Sequence, residues 1–180
     1  MATSIIELIS ADHEHVKEHF GELEEIPGAK LGDWFCELRE LLVRHEVAEE
    51  ITLYPALRSE VAGGDKIADA RIAEQQAAES KLAELEKMDP QSPSFLAELL
   101  QLRPAVLEHA KKEESDVLSR LQAALGPERL EDLGRAYALA MSSAPTHAHP
   151  HAPDTPPGNL ILGPVAAVAD RMRDAIKKAS

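Results

Sequence analysis

The chain has 180 residues, of which 44% are hydrophobic and only 3% aromatic, and its formal net charge is −13. This length and hydrophobic content predict one domain of ordinary size with a core, and they exclude a chain that is disordered throughout. Because the acidic charge repels phosphate backbones and anionic lipids, we expect no nucleic-acid partner and no membrane partner.

The same composition bears on localisation. A single cysteine excludes an internal disulfide and suits a reducing cytoplasm. The first residues lack the basic start and the apolar stretch of a secretion signal, and no apolar run approaches the roughly 20 residues of a membrane span. We therefore expect a cytoplasmic protein.

Apolar residues spaced three and four apart predict five helices, at 4–25, 33–59, 65–87, 94–124 and 127–142. Ser4 and Glu7 have the spacing of a capping box at the start of the first helix. Long helices joined by short connections pack as antiparallel neighbours. The sequence therefore predicts an all-α fold, an up-down-up-down four-helix bundle over 1–126 with an additional helix at 127–143.

The chain changes character after this helix. Residues 144–164 contain six prolines, which predicts an extended proline-rich arm rather than a packed element. Residues 165–180 predict a short helix with a basic end. The arm and the short helix could pack on a second copy of the chain, so we expect self-association through this C-terminal extension.

Polar residues interrupt the apolar seams of all four bundle helices close to one level. In chain order they are His13 on the first helix, His45 and Glu49 on the second, Gln75 on the third, and His109 and Glu113 on the fourth. Burying two carboxylates in a bundle interior without compensation costs several kcal/mol each. We therefore expect a bound cation in this layer.

Two of these pairs have the same pattern, His45-x-x-x-Glu49 and His109-x-x-x-Glu113. Residues four apart share a helix face, so each pair presents an imidazole and a carboxylate to one centre. This ligand chemistry suits iron, manganese or zinc, and two carboxylates can bridge two ions. The alternative, a core of hydrogen-bonded polar side chains without metal, stays open from the residues alone.

Four other residues are interpreted as structural or solvated rather than as metal ligands. We expect His15 and His19 to lie on a solvated helix face, and Glu46 to be solvated because Glu49 is the inward carboxylate of its run. Cys36 directly follows Trp34 and Phe35 and is expected to be a small core residue.

At these positions the chain resembles the hemerythrin-like proteins of the HHE cation-binding group. The segments ADHEHV, RHEVAEEITLYPAL and VLEHAKKEESDVL carry the resemblance, and the tail is similar to the proline-rich extension of actinobacterial members. The resemblance implies two iron ions joined by a bridging oxo or hydroxo group and by two carboxylates. It implies as metal ligands His13, His45, Glu49, His109 and Glu113.

One position departs from the family pattern. The third helix normally supplies a histidine, and here Gln75 occupies that place. An amide is a far poorer iron ligand than an imidazole, so the place stays open or a neighbour fills it. Glu74 and Glu79 flank it at helical spacing. Tyr54 is another candidate because the proline after it must distort its helix, but an ideal helix points it about 180° away from His45, which favours Glu74.

An anionic ligand in that place would stabilise ferric over ferrous iron, whereas reversible O₂ carriage needs an accessible diferrous state. The sequence therefore predicts an enzyme, a peroxide-linked di-iron oxidoreductase acting on hydrogen peroxide or nitric oxide, with the di-iron centre itself as the catalytic group. The first alternative is an O₂-binding or redox-sensing module without turnover. The second is a structural or metal-storage bundle.

Overall fold

The computed structural model describes residues 3–144 and residue 146. All regular secondary structure in this part of the chain is helical, which confirms the all-α fold. The helices are α1 (Ile5–Glu22), α2 (Leu31–Ile51), α3 (Leu53–Glu60), α4 (Gly64–Leu85), α5 (Pro93–Lys112), α6 (Ser119–Ala124) and α7 (Pro127–Ser143). The arm predicted at 144–164 lies almost wholly outside the described residues, and the short helix predicted at 165–180 lies entirely outside them.

The ends of the helices follow from their capping residues. At the start of α1, the Ser4 hydroxyl accepts from the Glu7 backbone N–H at 3.3 Å, and the Glu7 carboxylate accepts from the Ser4 backbone N–H at 2.9 Å. At the start of α5, the Ser92 hydroxyl accepts from the Phe95 N–H at 3.3 Å, and Pro93 takes the first helical position.

The helix predicted at 33–59 is two helices, α2 and α3. Thr52 has φ −122° and ψ −55°, outside the α-helical region, and separates them. Pro55 explains the break, because it has no N–H to bond the Ile51 carbonyl and its ring crowds that carbonyl. The break changes the direction in which α3 presents its side chains, and Tyr54 becomes only 1% exposed.

The helix predicted at 94–124 is also interrupted. Between α5 and α6 the backbone forms a π-helical segment over Glu113–Leu118. A π turn carries an extra residue relative to an α turn, and such turns are frequent at functional sites. This segment begins at Glu113, one of the carboxylates predicted to bind a cation.

The core consists of two apolar clusters separated by the polar layer. On α1, Ile9 belongs to one cluster and Val16 to the other, and His13 lies between them. Helix α7 packs on α1 and α2 and adds buried residues to the cluster that contains Ile9. Cys36, by contrast, is exposed, so its predicted place in the core was wrong.

No helix within the described residues is both long enough and apolar enough to cross a membrane.

The approach of α7 to the start of α1 leaves no room for a side chain at Gly134. A Cβ there would lie 2.2 Å from the Thr3 carbonyl oxygen and 3.0 Å from the Ile5 nitrogen. We expect Gly134→Ala to lower the free energy of unfolding by about 1–3 kcal/mol in urea denaturation, since the backbone must move.

Gly21→Ala is the matched control, because nothing lies within 4 Å of its Cβ position in α1. Alanine should raise stability there by up to about 1 kcal/mol through helix propensity. Equal behaviour of the two variants would contradict the tight contact between α7 and α1.

Candidate metal centre

Four of the predicted ligands meet in the polar layer. His13, His45, Glu49 and Glu113 each offer one ligand atom, and these atoms all lie within 4.8 Å of one another. His109 adjoins the group, with its Nε2 3.4 Å from Glu113 Oε2. The structure thus brings together the five side chains that the sequence singled out, from α1, α2, α5 and the π segment.

Several buried atoms of this layer have no hydrogen-bond partner. They are His13 Nε2, His109 Nε2, Glu49 Oε1, Glu113 Oε2 and Gln75 Oε1. Buried polar atoms are nearly always paired, so five unpaired ones in one layer indicate a binding site. Imidazole nitrogen and carboxylate oxygen are the ligands that iron, manganese and zinc accept, so the donor set fits a metal ion.

Electrostatics favour a cation in the same place. Glu49 and Glu113 are both 0% exposed. Burial and the charge of Glu113 raise the pKa of Glu49. Burial alone would also raise the pKa of Glu113, but the neighbouring imidazoles, that of His13 first, outweigh it and lower that pKa.

Of these two carboxylates, that of Glu49 has the larger effect on the pKa of His45. Burial alone would lower the pKa of His45, but the neighbouring Glu49 carboxylate raises it well above its usual value. Protons therefore supply positive charge to this layer without metal, and metal binding would release them.

In each of the three histidines, the outer nitrogen Nδ1, which faces away from the layer, lies within hydrogen-bond distance of another side chain. The Nδ1 contacts are Glu114 Oε1 at 3.1 Å for His13, Glu74 Oε2 at 3.0 Å for His109 and the Tyr137 hydroxyl at 2.6 Å for His45. Because a carboxylate only accepts, Nδ1 of His13 and of His109 must carry the proton. The Nε2 lone pairs of these two imidazoles are therefore directed into the layer, as metal ligation requires.

Comparison with known proteins agrees with this geometry. Residues 4–121 match the family model described as the hemerythrin HHE cation binding domain. The chain belongs to the hemerythrin family. An uncharacterized hemerythrin-like protein of Schizosaccharomyces pombe is 26% identical over 178 residues, which cover 98% of this chain and 88% of that protein.

In a second relative, the matched region is a smaller part of the protein. A DNA nickase of Nostoc sp. is 29% identical over 140 residues, which cover 77% of this chain but only 39% of that protein. No solved structure matches the chain. The resemblance noted in the sequence is thus confirmed, whereas the identity and number of the metal ions stay predictions.

The structure places Tyr54, Gln75 and Glu74 differently with respect to the cluster. Tyr54 donates from its hydroxyl to Glu113 Oε1 at 2.6 Å, so the ideal-helix estimate of its direction was wrong, because the break at Thr52 turns it inward. Gln75 is buried and donates from Nε2 to Glu49 Oε2 at 2.7 Å. Both side chains therefore touch a carboxylate of the cluster.

Glu74 lies outside the cluster of ligand atoms. One of its oxygens meets His109 Nδ1, and the other accepts from Lys112 Nζ at 2.8 Å and from Arg71 Nη2 at 3.0 Å. Burial would raise the pKa of Glu74, but Lys112 and His109 lower it overall. In this hemerythrin domain Glu74 therefore holds the Nδ1 side of His109, which faces away from the cluster.

Sequence reasoning missed several side chains around the centre. Asp12 and Glu114 each adjoin a candidate ligand in the chain, which was the available signal, and Tyr137 lies on the additional helix, to which the sequence assigned no part in the site. Glu46 was expected to be solvated, and this was wrong, since it is 9% exposed. Burial and the charge of Glu79 raise its pKa well above the usual range.

A narrow cavity, partly open to solvent, reaches the centre between α1, α2, α4 and α5. Its lining combines polar residues of the layer, among them His13, Gln75 and His109, with apolar and small ones. The latter are Val16, Leu42, Ala78, Ala105, Val106 and Ala110. Residues of the polar layer of this hemerythrin domain thus line a cavity that is partly open to solvent.

A single substitution tests the ligand set. We expect His109→Ala to lower the metal content of the purified protein markedly, because it removes an imidazole whose Nε2 lies unpaired in the layer. Metal per chain, measured by elemental analysis, is the readout.

His15→Ala is the matched control. His15 is exposed on α1, outside the polar layer, and its ring meets that of His19 at a centroid distance of 6.5 Å. It should keep the full metal content. Retention of two ions per chain by His109→Ala would show that the ligand set is wrong.

Proposed function

We propose that this hemerythrin domain holds two iron ions and reacts with hydrogen peroxide or nitric oxide as a di-iron oxidoreductase. The observation that supports it is the set of unpaired imidazole and carboxylate atoms in a buried layer that a narrow cavity reaches. Iron bound there supplies the one-electron chemistry that no side chain of the layer offers.

The ligands in this proposal are His13, His45, Glu49, His109 and Glu113. Glu49 Oε1 faces His45 Nε2 at 3.1 Å, whereas Glu113 Oε2 faces both His13 and His109 at 3.3 and 3.4 Å. Glu113 thus lies between imidazoles of two helices, whereas Glu49 faces the imidazole of its own helix. Five such ligands exceed the three or four that a single catalytic zinc uses, which supports two ions.

Tyr54 supports reaction with an oxidant. Its hydroxyl is buried beside Glu113, where burial raises the pKa of Tyr54, and a bound cation would reverse this effect and favour the phenolate as a ligand. An anionic phenolate stabilises ferric iron, and a ferric resting state suits reaction with peroxide better than reversible O₂ carriage.

The lining of the cavity supports a small, uncharged substrate. Its walls include Val16, Leu42 and Val106, and small residues such as Ala78 leave only a narrow passage. Apolar walls and a narrow width favour small uncharged molecules. Hydrogen peroxide, nitric oxide and O₂ all meet this description.

Gln75 supports the alternative, an O₂-binding or redox-sensing module without turnover. Its Oε1 is buried and unpaired in the layer. If this neutral oxygen rather than the Tyr54 phenolate completes the ligand set, ferrous iron becomes more accessible. An absorption spectrum of the iron-loaded protein separates the two, because only the phenolate gives a tyrosinate-to-iron charge-transfer band.

The name DNA nickase describes the Nostoc relative, and this chain matches only 39% of that protein. The net charge of −13 disfavours contact with a phosphate backbone. We therefore propose no nucleic-acid partner for this chain.

The catalytic part is tested with hydrogen peroxide. Protein carrying two irons per chain should consume it faster than free iron at the same concentration, and a catalase-like reaction should release one O₂ for every two molecules consumed. The readouts are peroxide absorbance and an oxygen electrode. Turnover no faster than that of free iron would overturn the enzymatic proposal and leave the sensor.

The access route is tested by filling the cavity. Ala78→Leu adds three carbon atoms to its lining, and we expect the rate of reaction with peroxide to fall about tenfold, equivalent to about 1.4 kcal/mol in the activation barrier, at unchanged iron content.

Ala77→Leu, the neighbouring exposed position, does not line the cavity and should react like the wild type. Equal rates for the two variants would show that small molecules reach the centre by another path.

A further inference from the structure

His45 differs from the other two histidines in what holds its outer nitrogen. Its Nδ1 lies 2.6 Å from the hydroxyl of Tyr137, and that hydroxyl lies 2.7 Å from Asp12 Oδ2. The direct separation between His45 Nδ1 and Asp12 Oδ2 is 3.7 Å, too long for a hydrogen bond. Tyr137 therefore links an imidazole of α2 to a carboxylate of α1.

The single proton of the hydroxyl fixes the direction of both hydrogen bonds. An ionised Asp12 can only accept, so the Tyr137 O–H donates to it. The Tyr137 oxygen must then accept from Nδ1–H of His45. With its proton on Nδ1, neutral His45 presents the Nε2 lone pair to Glu49 and the rest of the layer.

The fold holds Tyr137 firmly in this place. Its side chain is 1% exposed and its ring meets that of His45 edge-on, at a centroid distance of 6.2 Å. Leu133 and Ala140, one turn before and after it on α7, are also buried in the core. The close contact of Gly134 with Thr3 brings α7 against the helix that carries Asp12.

We propose that α7, which lies outside the residues that match the family model, completes the metal centre by supplying Tyr137 as the positioning residue for His45. Tyr137 transmits the charge of Asp12 and keeps Nε2 of His45 available to the metal. The proposal rests on the metal centre proposed above. It assigns a role in metal binding to a helix that contains none of the proposed ligands.

The test uses Tyr137→Phe, which removes only the hydroxyl, and zinc as a diamagnetic probe. Outer hydrogen-bond partners of metal-binding histidines are typically worth about 10–100-fold in metal affinity, and we expect a loss of that size in competition with a chelator. Proton NMR of the zinc-loaded protein should show the hydrogen-bonded Nδ1–H of His45 in the wild type and lose it in the variant.

Two further variants separate positioning from packing. Leu133→Ala removes a buried side chain from the same helix and should lower the melting temperature without a matching loss of zinc affinity. Asp12→Ala should weaken zinc binding as Tyr137→Phe does. The double variant should be little worse than either, because both changes break one chain of hydrogen bonds.

Unchanged zinc affinity and a retained Nδ1–H signal in Tyr137→Phe would overturn the proposal. An additive double variant would also contradict it, since Asp12 and Tyr137 would then act separately. The Nδ1–H signal can be followed in the metal-free protein as well. Failure of the wild type to bind any metal would thus refute the metal centre, while the signal would still report whether Tyr137 fixes the proton of His45.

Discussion

Two carboxylates without contact with water, Glu49 and Glu113, constrain the whole interior of this protein. Anionic groups in a medium of low polarity need positive charge close by, and nothing apolar can supply it. Three imidazoles from three helices surround them. The positions of α1, α2, α5 and the π segment are thus tied to one another through a single layer of charge.

The two apolar clusters make that layer effective. They lie on either side of it and exclude water, so each electrostatic contact inside is stronger than it would be at the surface. The Nδ1 nitrogens of His13 and His109 meet carboxylates, and that of His45 meets a phenol. These contacts determine that Nε2 of each ring is directed at the centre. The hemerythrin domain therefore orients its histidines through groups outside the layer, while the apolar clusters limit their contact with solvent to a narrow cavity.

The sequence predicted which side chains face the interior correctly where the helices are regular. Spacings of three and four place His13, His45 and Glu49 on inward faces because α1 and α2 follow ideal geometry up to those residues. The same rule failed for Tyr54, because the break before Pro55 changes the direction of α3.

The rule of helical spacing also failed where contacts between helices decide whether a side chain is buried. Glu46 is buried because neighbouring helices cover it, which periodicity cannot show. The link between Asp12 and Tyr137 joins residues 125 positions apart, and no local pattern in the chain records it. Cys36 shows the reverse error, since bulky neighbours in sequence do not imply a buried position.

That long separation has a consequence for biosynthesis. A nascent chain that has emerged only as far as residue 126 already contains every proposed ligand, yet His45 lacks the hydroxyl that orients it. Under the role proposed for Tyr137, α7 must leave the ribosome and pack beside α1 before the hydrogen bond between Tyr137 and His45 can form. Protein truncated before α7 would therefore keep every proposed ligand and lack the group that holds the proton on Nδ1 of His45.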